Sequence, residues 1–138
     1  MTREVLETVI YEKDGPIARI ILNNPERANS QDSTMVWDVE KCLKDTQGPV
    51  IVTTDYMRLY AEQIRPLVPR RYVVLGTDGF GRSDTREKLR GFFEVNSHYV
   101  TVAALKALAD DGTIPVAKVT EAIRKYGLDP DKPAPWTV

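Results

Sequence analysis

Residues 72–86 read YVVLGTDGFGRSDTR. Four residues of strand-forming type run into three glycines, Gly76, Gly79 and Gly81, and the arginines Arg82 and Arg86 follow, with Asp78 and Asp84 among them. A short apolar run bounded by turn residues is the pattern of a buried strand. Asp84, with Glu87 three residues on, forms a capping box that opens a helix over TREKLRGFF. Strand, glycine loop and helix in that order form part of an α/β unit with a parallel sheet.

The flanking sequence extends this unit in both directions. PVIVT (49–53) is a second short apolar strand, and Thr54 or Asp55 can cap a following helix, YMRLYAEQIRPLV. Leu59, Ile64 and Leu67, with Tyr56 and Tyr60, form its apolar side, and Pro66 kinks or ends it. Downstream, SHYVTVAALKALADDG reads as a longer helix that Gly112 terminates. Pro115 suits the first turn of a last helix, VAKVTEAIRKYG, ended by Gly127. The tail DPDKPAPWTV is proline-rich and expected to be extended. Two parallel strands make a poor sheet, and a parallel sheet needs both faces covered. This half therefore reads as part of something larger.

Toward the amino end, VLETVIYEKDGPIARIILN predicts a β-hairpin around Asp14-Gly15-Pro16. Leu6, Thr8, Ile10 and Glu12 would share one face, with Val5, Val9 and Tyr11 on the other. Asn23-Asn24-Pro25 ends the hairpin, and a polar loop runs to Asp32. Residues 34–45 predict a helix capped by Asp32 or Ser33, with Met35, Val36, Val39, Cys42 and Leu43 on one stripe. Gln47-Gly48-Pro49 then breaks the chain.

The 138 residues suit one domain of ordinary size, and 42% hydrophobic with 28% charged residues is typical of a globular protein. A net charge of −1 gives no electrostatic footprint for nucleic acid or an anionic membrane. No apolar run is long enough to span a bilayer, and Arg3, Glu4 and Glu7 break up any apolar leader. The lone Cys42 points to a reducing cytoplasm, and one His with one Cys argues against a zinc site.

Two resemblances follow from these stretches. YEKDGPIARIILNNPERANSQD with VWDVEKCLKD resembles the opening of the crotonase family, the enoyl-CoA hydratases and isomerases, over about residues 5–45. The resemblance rests on the hairpin and on an N-x-P-x-x-x-N-like loop carried by Asn23, Pro25 and Asn29. It implies that Asn23, Arg27 and Asn29, with Asn24, lie near a CoA-binding region, although these residue types are also ordinary loop formers. It also implies that Trp37 and the stripe around Val39 face the remainder of a crotonase fold.

From about residue 47 onward, GPVIVTTDYMRLYAEQI, RYVVLGTDGFGRSDTREKLRGFFEVNSHYVTVAALKALADDG and KYGLDPDKPAPWTV resemble the carboxyl-terminal end of the homodimeric bacterial pyruvate dehydrogenases. These are the thiamine-dependent decarboxylases of the pyruvate dehydrogenase complex. The resemblance implies the latter part of a transketolase-type C-terminal domain, an α/β domain that organises the dimer. Thiamine diphosphate and magnesium are held by preceding domains of that family. No catalytic, cofactor-binding or metal-binding residue is therefore carried over to this chain. The chain reads as a chimera: a crotonase-like hairpin and helix in residues 1–46, joined to a partial parallel α/β unit with a helical end in residues 47–138.

The glycine loop invites a functional reading. Amides of a glycine-rich turn, with Arg82 and Arg86, can hold an anion at the carboxyl end of a strand. The spacing G-x-x-G-x-G is neither a phosphate-loop nor a dinucleotide fingerprint, and the phosphate-loop lysine is missing. Gly76, Gly79 and Gly81 are read first as serving a tight turn, with Asp78 in the turn and Asp84 as a cap. The second reading is a candidate anion or interface loop of Gly76, Asp78, Gly79, Gly81, Arg82, Asp84 and Arg86. His98 lacks a visible nucleophile or orienting partner and reads as a helix-start or surface residue, and Cys42 as a core or interface residue. The open edges of strands 49–53 and 72–75 call for self-association or docking onto a full-length parent-type subunit. An alternative is one small shuffled domain, in which the hairpin extends the two strands to a four-stranded sheet.

Overall fold

The computed structural model describes every residue except Pro16, Gln31 and Asp45, together with the side chain of Ile17. Pro16 of the expected turn and Asp45 at the expected helix end thus lie outside the described residues. The chain divides into two compact units, residues 1–47 with 67–69, and residues 48–66 with 70–138.

The first unit is an antiparallel meander covered by a helix. Strands β1 (Thr2–Val5), β2 (Val9–Asp14) and β3 (Ile17–Leu22) form one sheet in that order. The expected hairpin is β2–β3, with Val9 opposite Leu22 and Tyr11 opposite Ile20. The strand expected to start at Val5 is interrupted: residues 6–8 turn, closed by the Leu6 amide donating to the Val9 carbonyl at 2.9 Å. Val5 therefore pairs with Ile10 across the sheet instead of sharing a strand with Val9. Helix α1 (Ser33–Lys44) is capped by Asp32, whose carboxylate accepts from the Met35 amide at 3.0 Å. Met35 (1% exposed) and Val9 (0%) are the most deeply buried large side chains.

Polar ties join α1 to this sheet, among them the Lys41–Glu4 ion pair at 2.9 Å. The Asp38 carboxylate accepts from both the amide (2.7 Å) and the hydroxyl (2.8 Å) of the buried Thr8. Trp37 on the same helix stands exposed.

The second unit is α/β. Strands β4 (Val50–Thr53) and β5 (Tyr72–Leu75) form a two-stranded parallel sheet, in register from Val50–Tyr72 to Thr53–Leu75. The four-stranded sheet considered from sequence does not form, because the hairpin pairs with β1 and neither β4 nor β5 gains a third strand. Helices α2 (Arg58–Glu62), α3 (Arg86–Phe92), α4 (Ser97–Asp110) and α5 (Ala117–Tyr126) complete the unit. Alternate residues of β5, Tyr72 and Val74, are buried with Phe93, Val95, Ala107, Val119 and Ala122. This core arises because the apolar stripes of α4 and α5 meet and α4 also covers both strands.

Helix ends follow local chemistry. Asn96 caps α4, accepting from the amides of His98 and Tyr99. Gly127, at φ +61°, closes α5 with the Leu128 amide donating to the Ile123 carbonyl at 3.1 Å. Three expectations are corrected. The helix expected over 56–68 shrinks to five residues and a 3₁₀ turn at Arg65–Leu67, because the ring of Pro66 removes an amide and disfavours helix before it. The α3 cap is Thr85, not Asp84: the Thr85 hydroxyl accepts from the Lys88 amide, while Asp84 accepts from the Thr85 amide at 2.7 Å and faces Lys88. The proline-rich tail is not a free extended strand. It ends in a 3₁₀ turn, Pro135–Thr137, with Pro135 buried.

Candidate functional site

The parallel register of β4 and β5 brings their carboxyl ends side by side, and the segments that leave them build one surface feature. After β4 the chain passes Thr54 and Asp55 into α2, and after β5 it enters the glycine loop. The two segments are hydrogen-bonded: the Thr77 amide donates to the Tyr56 carbonyl at 2.9 Å, and the Thr77 hydroxyl to the Asp55 carbonyl at 3.1 Å.

Gly76 sits where that approach is closest. A Cβ there would lie 2.8 Å from both the Arg58 nitrogen and the Tyr56 oxygen, so only glycine fits. Asp78 then takes over the start of α2. Its carboxylate accepts from the Arg58 amide (3.2 Å) and from Arg58 Nε (2.9 Å). Thr54 and Asp55, expected as caps, do other things: Thr54 accepts from the Tyr56 amide at 3.1 Å. The Arg58 guanidinium lies over the Trp136 ring at 4.4 Å. Gly79, at φ +112°, is pressed against the tail, where a Cβ would meet the Pro135 oxygen and Trp136 Cα at 3.0 Å.

Beyond Gly79 the loop borders a cleft of about 320 Å³. Asp55, Thr77, Gly79, Gly81, Arg82, Arg86 and Arg90 line its polar side, and Leu89 and Phe93 its apolar side. Asp55 is held by two guanidinium groups, from Arg90 (Nη2 at 2.6 Å, Nε at 3.1 Å) and Arg86 (Nη2 at 3.2 Å). Hydrogen bonding from Arg90, then from Arg86, holds its carboxyl below the usual carboxylate range, partly opposed by desolvation. Arg82 lies over the Phe92 ring at 4.2 Å and has no carboxylate partner among the described residues.

Of the residues singled out from sequence, Gly79, Gly81, Arg82 and Arg86 meet in this cleft, while Gly76 and Asp78 hold the start of α2 and Asp84 serves the start of α3. Asp55 and Arg90 are additions. Arg86 and Arg90 stand four apart on one helix face, and Asp55 follows a strand end, so their meeting was readable once the strands were known to be parallel.

The other singled-out residues have local roles. The Asn29 side chain accepts from the Asn24 amide at 2.7 Å, and Arg27 pairs with Asp32 at 3.1 Å, so both stabilise their own loop. Asn23 continues the sheet, donating through its amide to the Thr8 carbonyl at 2.7 Å. His98 stacks on Tyr126 of α5 at 4.4 Å, joining two helices. The Cys42 thiol is half-buried and pushed up by desolvation, which disfavours the reactive thiolate. Among the described residues no group of three or more His, Cys, Asp or Glu could hold a metal ion, and no helix is long and apolar enough to cross a membrane.

Comparison with known proteins finds partial matches to this α/β arrangement. Residues 29–96 match the transketolase-like TK C-terminal domain family, so that α1, β4, α2, β5 and α3 fall inside the match and the three-stranded sheet precedes it. The relatives are more particular. The chain is 71% identical over 100 residues to the pyruvate dehydrogenase E1 component of Cupriavidus necator, covering 72% of this chain and 11% of that protein. It is 64% identical over 98 residues to the E1 component of Pseudomonas aeruginosa, covering 70% of this chain and 11% of the relative. The Escherichia coli K12 E1 component is 56% identical over 89 residues, 64% of this chain and 10% of the relative. The matched segment is thus homologous to pyruvate dehydrogenase E1 and spans about a tenth of the length of these relatives. The crotonase resemblance of residues 5–45 gains no support from these matches.

Proposed function

We propose that this chain is a structural element related to the C-terminal domain of pyruvate dehydrogenase E1, without catalysis of its own, that works by self-association or by docking onto an E1-type subunit. The observation that carries this reading is an apolar surface around the start of α2. Tyr56, Leu59, Tyr60, Phe80 (83% exposed) and Trp136 (50%) all stand open to solvent there. Tyr56 and Tyr60 touch edge to face at 5.7 Å, Arg58 lies on Trp136, and Phe80 follows the glycine that abuts Trp136. Large apolar side chains gathered in this way mark interaction surfaces. The unpaired edges of the two-stranded sheet point the same way.

In the family that residues 47–138 resemble, thiamine diphosphate and magnesium are held by preceding domains, and we propose neither for this segment; Asp55, the carboxylate of the cleft, serves two arginines. A reducing cytoplasm, where Cys42 stays a thiol, is the matching compartment.

Sedimentation velocity over a range of concentrations tests the reading. A reversible self-association, or binding to full-length E1, is expected, and Phe80→Asp should weaken it at least tenfold. A monomer at every concentration that also ignores full-length E1 sinks the association. Pyruvate turnover with thiamine diphosphate, abolished by substitutions in this chain, would sink the non-catalytic half. Acyl-CoA binding by residues 5–45 is the weaker reading, since Arg27 and Asn29 are engaged within their own loop. CoA-thioester binding lost on changing either residue would revive it.

A further inference from the structure

We propose that the cleft at the carboxyl ends of β4 and β5 is a binding site for a small phosphorylated compound, held by Arg82, Arg86 and Arg90 with its apolar part on Leu89 and Phe93. Three guanidinium groups line this cleft against one carboxylate, Asp55. The acids within the loop itself are matched by their own cations, Asp84 by Lys88 at 3.6 Å and Asp78 by Arg58 at 2.9 Å, and Glu87, in the first turn of α3, is not among the residues lining the cleft. Two positive charges are left over, which suits a phosphate dianion.

The donors are also open. Arg86 reaches Asp55 through Nη2 alone, leaving its remaining N–H groups for a ligand. Arg82 makes its one described contact with a ring face, so its guanidinium edge is open for a bidentate contact. Among the described residues, the backbone amides of residues 79–83 have no protein acceptor. A glycine-rich segment with several free amides is a ready anion cradle. The volume of about 320 Å³ fits a compact ligand. In open α/β sheets, ligands gather at the carboxyl ends of the strands. This site depends on the local charge pattern and not on self-association, so either proposal can fail alone.

The test is a titration of the ¹⁵N-labelled full chain with phenyl phosphate, and separately with inorganic phosphate, read from amide and arginine Nε shifts. Saturable shifts at Gly79, Gly81 and Arg82 are expected, with phenyl phosphate binding several-fold more tightly because of the apolar wall. Arg82→Gln should weaken binding at least tenfold, and Arg82→Lys, which keeps the charge, about threefold. Both variants keep the Asp55 pairs, and their spectra report directly whether the fold is retained. Shifts that sodium chloride reproduces at equal ionic strength, no saturation, or unchanged affinity in Arg82→Gln would each overturn the site.

Discussion

Replacing Gly76 by alanine places one methyl group into the tightest approach in the glycine loop. The new Cβ would stand 2.7 Å from Arg58 Cγ and 2.8 Å from two backbone atoms, the Arg58 nitrogen and the Tyr56 oxygen. A flexible side chain can swing aside, but these backbone atoms are fixed by the Thr77–Tyr56 hydrogen bond at 2.9 Å and the Arg58–Asp78 hydrogen bond at 3.2 Å. The loop must therefore retreat from α2 by about half an ångström. Overpacking of this kind costs about 1–3 kcal/mol. Loosening the two hydrogen bonds adds about 1 kcal/mol more, for an expected total of about 2–4 kcal/mol. Gly81, five residues on in the same loop, is the internal control. A Cβ there meets nothing within 4 Å, and its φ is not in the left-handed region. Gly81→Ala should be neutral or stabilising by up to about 1 kcal/mol through the unfolded chain. Urea denaturation followed by far-UV circular dichroism separates the two. With an m-value of about 1–3 kcal/mol/M, the Gly76→Ala midpoint should fall on the order of 1–2 M below that of Gly81→Ala. Midpoints within about 0.3 M of each other would refute the reasoning, since the close approach would then be elastic.

Three other outcomes follow from the two units. Asp38→Ala leaves the amide and hydroxyl of buried Thr8 without their acceptor, and thermal or urea melts of the full chain should show a loss of about 2–4 kcal/mol in the first unit. A loss below about 0.5 kcal/mol would mean that water replaces the carboxylate. Tyr72, only 4% exposed, donates its hydroxyl to the Ala61 carbonyl at 2.7 Å, and desolvation pushes its phenol up to about 12. The unfolded chain releases that proton near pH 10 and the native chain near 12, so stability holds below pH 10 and falls between 10 and 12. Across that window the wild type should lose about 2–3 kcal/mol more than Tyr72→Phe, and parallel pH profiles would contradict the assignment. Amide hydrogen exchange on the full chain should give residues 2–44 and residues 50–126 two different opening free energies, whereas one common value would mean a single cooperative domain.

Local chemistry was the legible part of this chain. The apolar run into β5, the glycine that ends α5 and the Asp32 cap of α1 are each decided within a few residues, and each was readable as such. Most of what could not be read was decided by partners distant in sequence, and the rest by shifts of a residue or so at element ends. β1 carries Thr2, Arg3 and Glu4, an unpromising strand composition, and exists because β2 offers a free edge. Thr85 displaces Asp84 as the cap of α3 by a shift of one residue, the kind of boundary that local pattern resolves poorly. Glu94 occupies a left-handed position, φ +64°, after α3, where glycine is usual. It is held there by the Val95 amide donating to Arg90 at 3.0 Å and by Lys132 at 3.3 Å, neither visible from its neighbours. The cleft was half legible for the same reason. Arg82 and Arg86 follow the glycines directly, but Asp55 comes from another strand end and Arg90 only from the far turn of α3.

The tail carries a consequence for the order of events during synthesis. Lys132 donates to the carbonyl of Phe92 at 2.6 Å, and Pro135 and Trp136 abut Gly79. The glycine loop thus lacks its final support until a segment about 56 residues later has been made. At about 5–20 residues per second, that interval lasts on the order of 3–11 s. Throughout it Gly79, the Arg58 guanidinium and the Phe92 carbonyl lack the contacts that the tail supplies, beside strands that can already pair. A nascent chain stalled before residue 132 would therefore carry a paired β4–β5 sheet with an unbraced glycine loop, and the last few residues made decide when that loop sets.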